Sequence, residues 1–131
     1  MIGMKRDTSI AAALQALAPK ASWVVRENDF ENIEWHSEDQ PQPTKEQIEA
    51  KMAELEESAP MDSVRDIRNW YLKESDWTQA ADIRAIRGEE WSLAWDQYRQ
   101  ALRDITTSEI NPYFDDMGVL QGAVFPEKPA N

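Results

Sequence analysis

The apolar positions change rhythm along the chain, and each change marks an element. Ile10 to Leu14 form a compact apolar block that resumes at Ala16 and Leu17, with Thr8 and Ser9 before it and Pro19 after it. Thr and Ser accept hydrogen bonds from free first-turn amides and proline cannot continue a helix, so a short helix is predicted over Ile10 to Leu17. Residues 22–26 (Ser-Trp-Val-Val-Arg) and 32–36 (Asn-Ile-Glu-Trp-His) are rich in β-branched and aromatic residues, and Glu27 to Glu31 between them is turn chemistry. A β-hairpin is predicted there. Residues 38–43 carry prolines at 41 and 43, which forbid a regular ladder or helix, so they read as an extended connector.

A second helix opens at Thr44, where Gln47 completes a capping box. Its apolar residues Ile48, Met52, Leu55 and Ala59 form a narrow seam, too short to stand alone in water. Packing on the chain's own hairpin is the simpler assignment for this seam, and another chain the alternative. Ala59-Pro60 is expected to break the helix, with Asp62 or Ser63 capping a new one over Val64 to Lys73. In that helix Val64, Ile67, Trp70, Tyr71 and Leu72 spread over more than half the circumference. Ser75 to Thr78 reads as a structured turn in which Asp76 or Thr78 caps backbone amides. After Gly88, the stripe Trp91, Ala94, Trp95, Tyr98, Leu102 and Ile105 defines a long helix from Glu89 to Asp104, with Leu93 on the opposite face. Beyond Ile105 the periodicity stops. The irregular tail still carries Tyr113, Phe114, Leu120, Val124 and Phe125, too apolar for a solvated linker, and is expected to dock.

The fold class is therefore α+β: an N-terminal helix, β-hairpin and helix, followed by a helical hairpin and an irregular C-terminal tail. A small module over residues 1–58 precedes a helical module over 59–131. An antiparallel pairing of the Val64 to Lys73 and Glu89 to Asp104 helices is predicted. So is at least one ion pair between Arg99 or Arg103 on the flank of the long helix and Asp76 or Asp82 in the preceding turn.

Charge narrows the function. Twenty-five acidic residues face 14 basic ones in 131, for a formal charge of −11, and such a surface repels phosphate, so nucleic acid is not expected as a partner. Cysteine is absent and His36 is the lone histidine, which removes thiol chemistry and His-rich metal sites. Lys5 and Arg6 ahead of the first apolar run echo a secretion signal, but Asp7 and Gln15 interrupt the pattern and a short helix accounts for it better. No segment approaches the length of a membrane span and the mean hydropathy is −0.71. A soluble intracellular protein without membrane contact is expected.

Candidate chemistry is sparse. The chain lacks a Gly-rich phosphate loop, a His-Glu-x-x-His helix and a calcium-loop spacing. Glu89-Glu90 sit where a helix N-terminus favours negative charge, and Asp115-Asp116 are adjacent and diverge. His36-Ser37 lacks the nucleophile elbow and oxyanion signature that a catalytic pair needs. No catalytic residue, metal or cofactor is expected. Six Trp, three Tyr and three Phe are the conspicuous feature, since stiff aromatic side chains serve both small cores and binding hot spots.

The run from Arg68 to Gln79 (Arg-Asn-Trp-Tyr-Leu-Lys-Glu-Ser-Asp-Trp-Thr-Gln), Asp82 in the spacer, Trp91, and Tyr98 to Ile105 (Tyr-Arg-Gln-Ala-Leu-Arg-Asp-Ile) resemble the phage tail assembly chaperone family. Residues 125–129 (Phe-Pro-Glu-Lys-Pro) stand where that family usually closes on Trp-Pro-x-x-Pro. Departures are Thr106-Thr107-Ser108 in place of a proline and the insertion from Tyr113 to Val124. The N-terminal half resembles a small XkdW-like phage tail module through Ala13 to Pro19, Trp23, Ile33-Glu34-Trp35 and Pro43 to Ile48.

The resemblance implies a non-catalytic phage or prophage protein that binds a tail-fibre or baseplate subunit and assists its folding and assembly. It would act in the host cytoplasm during assembly, with later retention in the virion tail and oligomerisation within a tail complex both open. A permanent fibre-to-baseplate adaptor is the alternative; an acidic mimic of nucleic acid is a third reading, opposed by the interleaving of carboxylates with Lys and Arg. The expected partner-binding residues are those the helical stripes leave over: Trp70, Trp77, Leu93, Tyr113, Phe114 and Phe125.

Overall fold

The computed structural model describes residues 7–130; Lys5 and Arg6 of the signal-like pattern lie outside them. The described chain divides into two compact units, residues 7–59 and 60–130.

In the first unit, helix α1 (Ile10–Leu17) starts at Ser9, whose hydroxyl accepts the Ala12 N–H at 3.3 Å. Strands β1 (Trp23–Val25) and β2 (Ile33–Trp35) pair antiparallel, with Trp23 opposite Trp35 and Val25 opposite Ile33. Their turn uses positive φ at Glu27 (58°) and Asn28 (52°), a strain that Asn tolerates through local hydrogen bonding. Asn28 Oδ1 also accepts the Ile10 N–H at 2.9 Å, so the hairpin turn satisfies the first amide of α1. The hairpin's inner residues Trp23, Val25, Ile33 and Trp35 pack on buried Ile10, Ala13, Leu14 and Ile48. Met52 and Leu55 join the same core, so the helical seam faces its own hairpin. Trp35 Nε1 donates to the Gln40 carbonyl at 2.9 Å and ties down the connector. The capping box forms in both directions, Thr44 N–H to Gln47 Oε1 at 2.9 Å and Gln47 N–H to Thr44 Oγ1 at 3.1 Å.

The expected break at Ala59-Pro60 does not occur: helix α2 runs from Lys45 to Glu74 with Pro60 inside it. A mid-helix proline removes one hydrogen bond and costs about 3 kcal/mol, so burial along the helix has to outweigh it. Buried Ala59, Ser63, Val64 and Ile67 supply that burial. Ser63 occupies the seam position four residues after Ala59, and its polarity hides the continuity of the stripe in the sequence.

In the second unit, a 3₁₀ turn (Asp76–Gln79) and helix α3 (Ala81–Arg87) lead to α4 (Glu89–Asp104). Helix α3 is absent from the sequence-based expectation, and it has no buried residue to announce it. Gly88 joins the two helices at φ 92°. The C-terminal part of α2 and α4 pair in the antiparallel sense, since Arg68 reaches Thr106 while Leu72 and Ser75 meet Arg99. Trp95, Tyr98 and Leu102 form the buried centre, with Tyr71, Leu72, Trp91 and Phe125 packed around it. The tail contains one further hairpin, β3 (Tyr113–Phe114) against β4 (Leu120–Gln121). Asp115 organises its turn by accepting the Met117 and Val119 N–H groups and Gln121 Nε2. These bonds hold the Asp115 carboxyl below the usual carboxylate range, the Val119 amide contributing most.

Candidate partner-binding surface

The surface is built around Arg99, the buried cation of the second unit. Its side chain is 9% exposed. One terminal nitrogen donates to the Leu72 carbonyl and to Ser75 Oγ, both at 2.7 Å, and the other to Asp76 Oδ1 at 3.0 Å. The expected Arg–Asp tie between turn and helix is thus present. The capping expected of Thr78 takes another form: its hydroxyl donates to the Ser75 carbonyl and accepts the Gln79 side-chain amide, not a backbone amide. Asp76 likewise spends its carboxylate on the guanidinium. A second clamp, unforeseen from the sequence, holds α3 to α4, with Arg84 gripping Asp96 bidentately at 3.0 and 2.7 Å. The guanidinium lowers the Asp96 carboxyl below its ordinary value, and the carboxylate raises Arg84 in return.

On this frame the rings form two groups that pack around the same buried centre of Trp95, Tyr98 and Leu102. Trp70 meets Tyr71 edge-on at 5.1 Å, and Tyr71 meets Phe125 at 5.8 Å. Trp77 touches both Trp91 and Trp95 at 5.8 Å, and Trp95 stands perpendicular to Tyr98 at 5.6 Å. Burial, and secondarily Tyr71, raises the Tyr98 hydroxyl above its usual pKa, so it stays protonated at neutral pH. Trp95 is wholly buried, whereas Trp70 and Trp77 remain 38% and 41% exposed. One group therefore runs from buried Trp95 out to Trp77, and the other brings Trp70 to the surface beside half-buried Tyr71.

The sequence-nominated residues separate into three places. Trp70, Trp77 and Phe125 belong to the two ring groups around the buried centre, though Phe125 is packed against Tyr71 and only partly accessible. Leu93, 56% exposed, lines an open concavity between α3 and α4 together with Ala85, Gly88 and Ser92. Tyr113, 56% exposed, and half-buried Phe114 stand on β3, and no ring contact joins them to either ring group among the described residues. Lys128, outside the residues expected from the sequence, places its Nζ 5.9 Å over the Trp95 ring.

His36 directly follows β2, its N–H bonded to the Ser22 carbonyl at 2.9 Å, and Ser37 Oγ accepts the Ser22 N–H. Both thus serve the hairpin. Among the described residues no cluster of metal-ligating side chains exists, and no helix is long and apolar enough to cross a membrane.

Comparison with curated proteins and with solved structures gives no match. A family model described as phage tail assembly chaperone protein matches residues 61–130, beginning one residue past the boundary between the two units. The likeness of the N-terminal half to an XkdW-like module lies outside that match. With more than half of its length matched, on the residues that form the Arg99 clamp and both ring groups, the chain belongs to the phage tail assembly chaperone family.

Proposed function

We propose that the protein is a non-catalytic assembly factor that binds a tail-fibre or baseplate subunit and shields its apolar surface during folding and assembly. The observation that supports this most directly is that two ring groups on one buried core surface at Trp70 and at Trp77 within the family-matched unit. Half-exposed tryptophans fixed by a buried framework give contact area at little entropic cost. Trp70 and Trp77 form the centre of the binding surface, with Leu93, Tyr113, Phe114 and the region of Phe125 extending it. The complex forms in the host cytoplasm during assembly, and the net charge of −11 keeps the chain soluble while it holds an apolar client.

The test is co-purification of a tagged chain with the fibre and baseplate subunits of its phage, followed by binding at low and high salt. Wild type is compared with a Trp70→Ala, Trp77→Ala variant whose helix content is unchanged by circular dichroism. A specific fibre or baseplate subunit that binds wild type at both salt concentrations and loses affinity at least tenfold on the variant is the expected result. Binding untouched by the double substitution but abolished by salt refutes the aromatic surface and assigns the role to the acidic face. Recovery of the protein in stoichiometric amount from purified particles refutes release and supports the permanent adaptor.

A further inference from the structure

Residues 123–130 follow the β3–β4 hairpin with no regular secondary structure, and none of their backbone groups hydrogen-bonds to another part of the described chain. Two side-chain contacts hold them to the helices: Phe125 against Tyr71 at 5.8 Å and Lys128 over Trp95 at 5.9 Å. Each of these anchors precedes a proline, Pro126 or Pro129. The proline ring excludes the helical region for the preceding residue, so the segment is driven towards extended or polyproline geometry before it docks. Beside Lys128 a cleft of about 150 Å³ opens among Trp70, Tyr71, Trp95 and Tyr98. Trp95 Nε1 is buried and has no acceptor among the described residues, so the docked segment leaves a donor of the aromatic face unused.

We propose that the aromatic face of Tyr71, Trp95 and Tyr98 is a seat for an extended aromatic-Pro-x-Lys-Pro segment. The chain's own residues 125–129 fill it at rest, and a segment of the same chemistry on the tail partner displaces them. The resident segment itself identifies the occupant: an aromatic anchor, a cation over an indole and two prolines are what the seat accepts. Aromatic-lined grooves suit such segments because the proline-stiffened backbone loses little entropy on docking. Exchange is feasible because the resident segment is held by side chains alone and no backbone ladder has to be broken. The inference rests on the partner reading proposed above for its last step only, since the seat and its occupant belong to one chain.

The full chain contains no cysteine, so Glu127→Cys gives a single attachment point for a fluorophore quenched by nearby tryptophan. A synthetic peptide of residues 123–130 is the probe. The expected result is saturable recovery of fluorescence on adding peptide, and none with a peptide carrying Phe125→Ala. In a second measurement, the unlabelled Phe125→Ala, Lys128→Ala chain binds the wild-type peptide at least tenfold more tightly than the wild-type chain does. No recovery at any peptide concentration, or equal peptide affinity for the two chains, overturns the seat. If the peptide restores fluorescence and a bound fibre or baseplate subunit does not, exchange is overturned while the partner reading stands. If no tail subunit binds at all, the partner reading fails and the peptide result still decides the seat.

Discussion

Replacing Arg99 by Met tests what holds the second unit in shape, because Met nearly preserves the volume and removes every donor. Wild-type Arg99 makes two short charge-assisted bonds, to the part-buried Leu72 carbonyl and the buried Ser75 Oγ, and one to a carboxylate. Hydrogen bonds from charged donors contribute about 1.5 to 3 kcal/mol each, which sets an upper bound near 6 kcal/mol for the buried pair. Two effects reduce it. The Leu72 carbonyl keeps the Ser75 N–H at 3.2 Å, so it is not orphaned, and the variant no longer desolvates a guanidinium. A loss of about 2 to 3 kcal/mol remains, equivalent to roughly 10 to 20 °C in Tm for a unit of this size. Asp76, by contrast, is 65% exposed, and Asp76→Asn should cost less than about 1 kcal/mol. Arg99→Lys, whose single ammonium lacks the fork, falls between them. Urea unfolding followed by tryptophan fluorescence, with circular dichroism as a second probe, gives the three values. If Asp76→Asn is as damaging as Arg99→Met, the exposed ion pair is the determinant and the reasoning from buried acceptors is wrong.

Three further outcomes are expected. Pro60→Ala restores a helical N–H in the middle of α2 and should raise thermal stability; a lower Tm would show that the proline ring itself makes an essential contact. Gly122→Ala should destabilise more than Gly118→Ala in chemical denaturation, although both sit at positive φ, because a Cβ at 122 falls against the Asn111 backbone while 118 faces open space. Equal effects would remove the steric argument. The Asp96 carboxyl is lowered in the folded state, so its clamp stabilises fully above the unfolded carboxylate pKa near 3.8 and is lost as pH falls through the lowered folded value. The stability difference between wild type and Asp96→Asn should be flat at neutral pH and close in acid, and a gap that widens on acidification contradicts the sign.

What local chemistry decides was legible in the sequence. Ser9, the Thr44–Gln47 box and the stripe of Trp91, Trp95, Tyr98 and Leu102 each specify their element within a few residues, and the structure places α1, the start of α2 and α4 accordingly. The Arg99–Asp76 tie was accessible from Arg type and helix face. The elements that escaped depend on distant partners. Helix α3 has no apolar stripe and is secured by Arg84 to Asp96, twelve positions on. The β3–β4 hairpin is written mainly in one carboxylate, Asp115, which adjacency to Asp116 disguised as a solvated pair. At the surface, periodicity gave the aromatic inventory but not its grouping. That Phe125 returns to Tyr71, and that Lys128 covers Trp95, follows from tertiary docking with no local signature.

Pro60 has a consequence for how such a chain diversifies. The residues on its N-terminal side answer to the core of Ile10, Leu14 and Ile48, and the family match begins immediately on its other side. A helix already missing one rung at that point is a natural splice site. An unrelated module ending in a helix can be joined there by recombination if it keeps helical phase and a small residue at position 59, while the inherited clamp and ring groups pass on unchanged.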